Sequence, residues 1–305
     1  MPIVLTACTQ RKRVTPSPLL CARDLSQGSL QAVVKSWTDR IAKAEERVPA
    51  EDIYCGRSFV EAKLAARTAQ AELHIVSAGL GLIHSQQVIP SYNLTVSRGG
   101  DDCVLDKLEG HGDADWWAAL GGQEALRAAL NRSSGIILIA LPSAYLRMVA
   151  PALDNISTRL CERIRIVGGR NVPHLNPRLE SARLPYDDRL DGPESNLPGT
   201  RSDFASRAAR HFVEEILVKN PHSSSRVHRE QVEASLATWT RPTAKAGVRK
   251  SDEEIKSIVR ANWTRAGGRS TTLLRILRDE LNIACEQKRF SNLVADIRKE
   301  KAYER

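Results

Sequence analysis

The sequence lacks a long apolar run, paired cysteines and any nucleotide-phosphate motif. None of its apolar stretches approaches the ~20 residues that a membrane-spanning helix needs. Its six cysteines include no Cys-x-x-Cys pair, and its seven histidines have no ligand spacing beside them, which argues against a structural metal site. The pattern G-x-x-x-x-G-K-[ST] is missing, and Gly79-Leu80-Gly81 lacks the third glycine of a dinucleotide-binding loop. We therefore expect no metal, no cofactor and no nucleoside triphosphatase activity.

The first residues do not have the order of charges that a signal peptide needs. The apolar run at residues 1–7 is short, and Arg11, Lys12 and Arg13 follow it instead of preceding it. We expect a cytoplasmic protein whose cysteines stay reduced and pack as small apolar residues.

Basic charge is concentrated in the last part of the chain. The 305 residues carry a net charge of +9, and residues 221–305 hold 18 Lys or Arg against 11 Asp or Glu, which is +7 of that total. The polar stretch 220–225, NPHSSS, predicts a domain boundary. We expect two domains, 1–220 and 221–305, and double-stranded DNA as a partner, because neutralised phosphates supply much of a protein's affinity for DNA. A merely solvated basic surface is the alternative.

Four short apolar runs predict buried strands, at residues 3–7, 73–76, 135–141 and 164–167. Helical patterns lie between and after them, at residues 29–47, 58–71, 115–131, 143–153 and 202–218. This alternation predicts an α/β fold with an open, mostly parallel sheet flanked by helices. The stretch 171–200 has five prolines, which predicts an excursion over the surface.

Beyond residue 226 the patterns are helical, at residues 227–239, 251–263, 270–282 and 286–301. Ser251 with Glu254 three residues later predicts a capping box. These helices resemble a small all-α helix-turn-helix module, whose last helix commonly enters the major groove. A helical dimerisation domain is the alternative. The residues expected to bind DNA are Lys12, Arg269, Lys288, Arg289 and Arg298.

The loops that follow the predicted strands are the expected ligand site, because ligands of open parallel sheets bind beyond the carboxyl ends of the strands. These loops are residues 9–12, 77–81, 141–143 and 168–170. Gln10 can pair with a base edge, and Arg11 or Lys12 can bind a phosphate, with a solvated basic turn as the alternative. In IPSYNLTVSR, residues 89–98, Tyr92 can stack on a base and Asn93 can read its edge or hold a water. An ordinary turn is the alternative for this segment.

Four motifs resemble an uncharacterised bacterial family: ACTQRK at 7–12, ARDLSQGSL at 22–30, HIVSAGLGLI at 74–83 and IPSYNLT at 89–95. A related domain occurs in archaeosine synthase, and both resemble distant members of the uracil-DNA glycosylase superfamily. The resemblance covers residues 3–150 and implies a base-flipping DNA glycosylase that leaves abasic sites. In outline the chain is similar to an anti-phage glycosylase that excises glucosylated hydroxymethylcytosine, which implies modified phage DNA as substrate and antiviral defence as role.

The resemblance also implies site residues. The two active-site motifs of the superfamily fall at Thr9-Gln10 and Leu141-Pro142-Ser143, where Leu141 replaces a histidine, and Asn93 stands where an aspartate is common. Asn93 or Gln10 would then hold the attacking water. The candidate carboxylates are Asp24, Glu61, Asp101 and Asp102. We expect Asn93, Gln10 and Asp24 to be catalytic, and the residues expected to bind the substrate are Thr9, Arg11, Arg57, Ser77, Tyr92 and Ser143.

Two other functions fit the sequence. A base-exchange or base-modifying enzyme of 7-deazaguanine pathways would incorporate a free base into the nucleic acid. A DNA-binding regulator that uses the α/β domain as a ligand sensor would bind DNA and leave it intact.

Overall fold

A computed structural model describes residues 1–154, 156–169, 172, 175–243 and 247–303, in two compact units. The first unit is Met1–Pro242 and the second is Thr243–Arg305. The sequence predicted the division after residue 220, but the helix Ser225–Leu236 belongs to the first unit. Its residues Val232 and Leu236 are fully buried in the hydrophobic core of that unit, which explains the later boundary. Arg170, at the end of one candidate loop, lies outside the described residues.

The first unit is built on a five-stranded sheet with the order β4-β3-β1-β6-β7. The strands of this unit are β1 (Ile3–Ala7), β2 (Val48–Pro49), β3 (Glu72–Ser77), β4 (Gly81–His84), β5 (Val88–Ile89), β6 (Ile137–Ala140) and β7 (Ile164–Val167). All neighbours in the sheet are parallel except β3 and β4, and β2 pairs with β5 separately. The predicted α/β fold with a mostly parallel sheet flanked by helices is confirmed. Every residue of β1, β6 and β7 is buried, as in a sheet covered on both faces.

Helices follow the predicted positions with two interruptions. The α-helices of the first unit are α1 (Leu30–Ala42), α2 (Ala50–Ile53), α3 (Arg57–Thr68), α4 (Asp113–Ala119), α5 (Gly122–Arg132), α6 (Ser143–Val149), α7 (Thr158–Arg163), α8 (Pro177–Glu180), α9 (Phe204–His211) and α10 (Ser225–Leu236). The predicted helix 115–131 is split into α4 and α5, because Gly121 has a φ of +73° that glycine adopts at little cost. After α9 the chain continues as a π-helical segment, Phe212–Leu217. No helix among the described residues has the length and apolarity to cross a membrane.

The proline-rich stretch 171–200 contributes to the core, contrary to the predicted surface excursion. Leu179 and Leu190 are 0% exposed. Arg183 forms a β-bridge with Ile166 of β7, and the Ile166 N–H donates to the carbonyl of Ala182 at 3.0 Å. The prediction failed because prolines interrupt the periodicity of this segment while the leucines between them still point inward.

The second unit has a hydrophobic core of its own. Its helices and strands are β8 (Val248–Arg249), α11 (Asp252–Ala261), α12 (Ser270–Arg275), β9 (Ile283–Ala284) and α13 (Gln287–Tyr303). Ile255, Leu277 and Phe290 are at most 1% exposed and belong to one apolar cluster. The predicted capping box is present, because Ser251 accepts from the Glu254 N–H and Glu254 accepts from the Ser251 N–H. The prediction of an all-helical segment missed the parallel β8–β9 pair, since two-residue strands carry no readable alternation.

Candidate functional site

Side chains from the carboxyl ends of three strands meet at one edge of the sheet. Cys8 follows β1, and its Sγ lies 3.1 Å from the hydroxyl oxygen of Tyr145 on α6, the helix after β6. The N–H of Ala78, which follows β3, donates to the same sulfur at 3.5 Å. The loops after β1, β3 and β6 therefore lie together, at the edge where ligands of parallel sheets bind.

The loop after β1 is fixed against the segment that follows α2. Thr9 Oγ1 donates to the carbonyls of Arg11 and Cys55, each at 2.9 Å. The Cys55 N–H donates to the Arg11 carbonyl at 3.2 Å, and Lys12 forms an antiparallel β-bridge with Tyr54. Thr9 therefore holds the loop through its hydroxyl, and its substrate-binding role stays a prediction.

The half-buried side chain of Lys12 points over two tyrosine rings. Its Nζ lies 4.9 Å from the ring centroid of Tyr92 and 5.9 Å from that of Tyr54. Within the described part of the chain, Nζ makes no hydrogen bond or ion pair. Burial lowers the pKa of the Lys12 ammonium, against the opposing effect of Cys8, Asp102 and two further cysteines nearby. The amine is therefore unprotonated more often than that of an exposed lysine.

A chain of hydroxyl groups lies beneath this amine. Ser77 Oγ accepts the N–H groups of Gly79 and Leu80 and lies 2.6 Å from the Tyr92 hydroxyl, which lies 2.9 Å from the Tyr54 hydroxyl. Because Ser77 already accepts twice, its proton goes to Tyr92 and the proton of Tyr92 goes to Tyr54. Burial raises the pKa of all the phenols here, so they are neutral donors and acceptors. We define the Lys12 cluster as Cys8, Lys12, Tyr54, Ser77, Tyr92 and Tyr145.

Asp102 is one of the candidate carboxylates, and hydrogen bonds occupy both of its carboxylate oxygens. Oδ1 accepts from the backbone N–H and the Nε of Arg23, each at 3.1 Å. Oδ2 accepts from Arg23 Nη2 at 2.8 Å and from Asn93 Nδ2 at 2.5 Å. Asn93 therefore positions Asp102 with its amide nitrogen, where the sequence predicted that it would hold a water or read a base.

Tyr92 is 0% exposed and cannot be the predicted platform for a flipped base. One edge of its ring packs against Trp37, with centroids 5.9 Å apart, and Lys12 covers it from another side. Ser77 is also 0% exposed, so its predicted substrate contact is replaced by its bond to Tyr92. Both residues lie at the predicted site, but their side chains are buried and contact other residues of the protein.

The remaining predicted residues divide between exposed positions and internal ion pairs. Gln10, Arg11 and Asp24 are exposed. Arg57 Nε donates to Glu61 at 3.2 Å, and the other oxygen of Glu61 accepts from Arg210 at 2.9 Å. Glu61 is therefore committed to structure, while the structure brings neither Asp24 nor Arg57 into the Lys12 cluster.

A second feature of the same edge is a cleft of about 420 Å³ at the ends of β6 and β7. Its polar lining includes Ser143, Asp188, Asp191 and Arg201. Ser143 opens α6, the helix that also carries Tyr145. The predicted site residue Ser143 thus lines a cleft, together with Asp188 and Asp191.

Residues 40–160 match the model of a family of unknown function (DUF6884). The match spans the segment from the end of α1 to the start of α7, which includes Tyr54, Ser77, Tyr92 and Tyr145. The loop with Cys8 and Lys12 lies before it. No curated protein matches the chain. The family is similar to part of this chain and carries no assigned chemistry, so function must be argued from the site.

One group of potential metal ligands exists among the described residues, on β3 and β4. The ligand atoms of Glu72, His74 and His84 lie within 4.8 Å of one another. His74 Nε2 is 3.1 Å from Glu72, and His84 Nδ1 accepts the Gln86 N–H at 3.2 Å. Because His74 Nε2 and His84 Nδ1 already have partners within the protein, a metal bound through these two atoms would have to break both bonds.

In the second unit, two of the predicted DNA-binding residues are used internally. Arg289 donates to Asp252 at 2.7 Å and to the Lys250 carbonyl at 2.9 Å, and Arg298 donates to Ser270 at 3.0 Å. Arg269 and Lys288 are exposed. Their side chains form no hydrogen bond or ion pair with the part of the chain that the structure describes.

Sequence reasoning assigned Lys12 to a phosphate contact, with a solvated basic turn as the alternative, and did not predict that its side chain is half-buried. The Lys12 side chain packs against Tyr54 and Tyr92, which are distant from it in sequence. A signal was present in the apolar strand directly before the loop and in Cys8, four residues ahead of Lys12.

Proposed function

We propose that this protein is a DNA glycosylase that releases a modified nucleobase and leaves an abasic site, with the Lys12 cluster as its reaction centre. The single observation that carries the proposal is the unpartnered, half-buried amine of Lys12 at the carboxyl end of the central strand. An amine held in this way can bind a sugar or base oxygen, or react with C1′, without first breaking an internal bond.

The buried phenols of the cluster are neutral, which suits cleavage of an N-glycosidic bond. The departing base gains negative charge and needs hydrogen-bond donors, which Tyr145 and the Lys12 amine can provide. The cleft of about 420 Å³ next to α6 has polar side chains suited to the hydroxyls of a sugar on the base. Glucosylated hydroxymethylcytosine in phage DNA is the substrate we favour, which would make the protein part of antiviral defence.

Duplex DNA is the proposed polymer because residues 221–305, which include the second unit, are rich in positive charge. Residues 221–305 carry +7 of the net charge, and Arg269 and Lys288 are exposed on the second unit. We infer that α11, α12 and α13 act as a helix-turn-helix-like module that contacts phosphates. This contact supplies affinity for the duplex, and the Lys12 cluster acts on the extruded base.

The test is to incubate the protein with matched duplexes that carry unmodified bases, uracil, 7-deazaguanine or glucosylated hydroxymethylcytosine, and to detect alkali-labile sites. Breaks confined to one modified duplex, lost in Lys12→Gln and kept in Lys35→Gln, support the proposal. Lys35 is an exposed lysine paired with Asp39, so it is a matched control. Incorporation of a labelled free base without breaks would instead identify a base-exchange enzyme. Binding without any product would identify a regulator.

A further inference from the structure

The cluster offers an amine but no carboxylate that is free to activate a water. All four hydrogen bonds to Asp102 come from Arg23 and Asn93, so a water would have to displace one of them. Glu61 is held by Arg57 and Arg210. A monofunctional glycosylase needs a base to orient and activate the water that attacks C1′. Asp188 and Asp191 line the cleft at the same edge, and Asp191 is paired with Arg207 at 2.8 Å. Since the Lys12 cluster as defined holds no carboxylate, the nucleophile that it presents is one of its own side chains.

We propose that the Nζ of Lys12 is the nucleophile, so that the protein is a glycosylase and an abasic-site lyase acting through a Schiff base. This inference rests on the proposed glycosylase function and adds a covalent step to it. In the first step a bond forms between Nζ and C1′ as the bond from C1′ to the nucleobase breaks, and the base leaves with a proton from the attacking amine. The C1′–O4′ bond then opens, O4′ takes a proton from water, and a protonated imine joins Lys12 to C1′.

The second half of the reaction cleaves the strand. Loss of a proton from C2′ expels the 3′ phosphate, because the positive imine withdraws electrons from C1′. Water then hydrolyses the imine, which returns the amine and releases the sugar aldehyde. One water is consumed overall, one proton is released together with the new phosphate monoester, and no oxidant or reductant is needed.

Two side chains of the Lys12 cluster suit an imine. The Tyr92 ring, whose centroid is 4.9 Å from Nζ, can stabilise the positive nitrogen through its face. The hydroxyl of Tyr145, 3.1 Å from Cys8 Sγ, can pass protons at the mouth of the cluster. Because Nζ makes no hydrogen bond or ion pair with the described residues, its lone pair is available whenever the amine is neutral.

The experiment is reductive trapping of the full-length protein on a duplex with a preformed abasic site. Sodium borohydride reduces an imine to a stable amine, so a Schiff base leaves a protein–DNA adduct on a denaturing gel. Because the abasic duplex contains no nucleobase at the site, this test does not depend on base release. We expect an adduct that peptide mass spectrometry maps to Lys12, that Lys12→Arg and Lys12→Gln lose, and that Lys35→Gln retains.

The outcomes separate the two proposals. An adduct at Lys12 without base release on any duplex supports the lyase and overturns the glycosylase. Base release without an adduct overturns the Schiff base and leaves a water-based glycosylase. An adduct on another residue, or at the Met1 amine, overturns the role of Lys12. The mapping is done on the unmodified protein, so it stays decisive even if the Lys12 variants do not fold.

Discussion

Arg165 donates its Nε–H to Nδ1 of His228 at 2.9 Å, and both side chains are 0% exposed. Arg165 lies on β7 and His228 on α10, so this bond fastens the helix to the sheet. The other Arg165 nitrogens donate to backbone carbonyls, including that of Ser223 at 2.9 Å. With no carboxylate beside it, burial lowers the pKa of this guanidinium to about 10.

Replacing His228 should therefore destabilise the first unit. In His228→Ala the Arg165 Nε–H loses its acceptor inside the core, at a cost of about 1 to 3 kcal/mol in the free energy of unfolding. Urea unfolding followed by circular dichroism measures this cost. His222→Ala is the control, because His222 is exposed and should leave stability unchanged. Equal stability of the two variants would show that the Arg165–His228 bond contributes little.

Stability should also fall on mild acidification. Burial lowers the pKa of His74, His211 and His228 in the folded protein. The pKa of histidine in the unfolded chain is about 6.5. As the pH drops below this pKa, the unfolded chain binds protons before the folded protein does, which stabilises the unfolded state relative to the folded state. We expect the free energy of unfolding to be constant above pH 7 and to decrease from pH 6.5 towards pH 5. Urea titrations at those pH values test this, and a flat profile contradicts it.

Gly79→Ala should disturb the packing around Tyr92, which belongs to the Lys12 cluster. A Cβ at this position would lie 2.6 Å from Tyr92 Cε2 and 3.2 Å from Trp37 Cζ2, in a region with no exposed surface. Overpacking of this kind costs roughly 1 to 3 kcal/mol. Gly28→Ala is the matched control, because its Cβ would meet only Ala32 at an ordinary 3.8 Å. Thermal unfolding of both variants is the measurement, and a Gly79→Ala protein as stable as Gly28→Ala would contradict the packing described.

Asp102→Asn should make Lys12 reactive at lower pH. The charge of Asp102 raises the pKa of Lys12 and partly offsets burial, so its removal lowers that pKa further. The pH dependence of Lys12 acetylation by acetic anhydride, read by mass spectrometry, reports this shift. Asp101→Asn is the control, since Asp101 is exposed and is not among the groups that act on Lys12. A shift towards higher pH in Asp102→Asn would contradict the geometry.

Arg269→Ala and Lys288→Ala should each weaken DNA binding without unfolding the second unit. If each side chain neutralises one phosphate, each substitution lowers the slope of log affinity against log salt by about 0.9. Fluorescence anisotropy at several salt concentrations gives the slopes. Arg289→Ala should differ, because Arg289 holds Asp252 and the Lys250 carbonyl, and its loss should lower the unfolding temperature. Unchanged slopes for Arg269 and Lys288 would remove them from the proposed DNA surface.

The parts of the fold that the sequence predicted are those that local patterns determine. β1 and β7 were located to the residue because continuous apolar runs between polar turns have few other structures. The break at Gly121 was missed, although Gly121 and Gly122 form a Gly-Gly pair, because the apolar residues on both sides fit one continuous helical pattern. Leu179 and Leu190 were left out of the core because burial in an irregular segment depends on what it packs against.

The prediction of the site divides in the same way, between what local patterns determine and what depends on the folded chain. The edge of the sheet was predicted from the rule that ligands bind beyond the carboxyl ends of parallel strands, and Tyr92 and Ser77 lie there. Their roles were wrong because exposure is set by distant residues: Trp37 and Lys12 cover Tyr92, which no local pattern near residue 92 indicates. Asn93 was read as a reactive amide for the same reason, since its partner Asp102 can be recognised only in the folded loop.

The bridge between Ile166 and Arg183 also protects the protein from association. β7 is the last strand of the sheet, and an uncovered last strand can pair with a strand of another molecule. The Ile166 N–H is instead taken by the Ala182 carbonyl, so the proline-rich segment occupies the place where a foreign strand would add. Shortening that segment would therefore do more than remove a loop: it would convert a closed sheet margin into a template for aggregation.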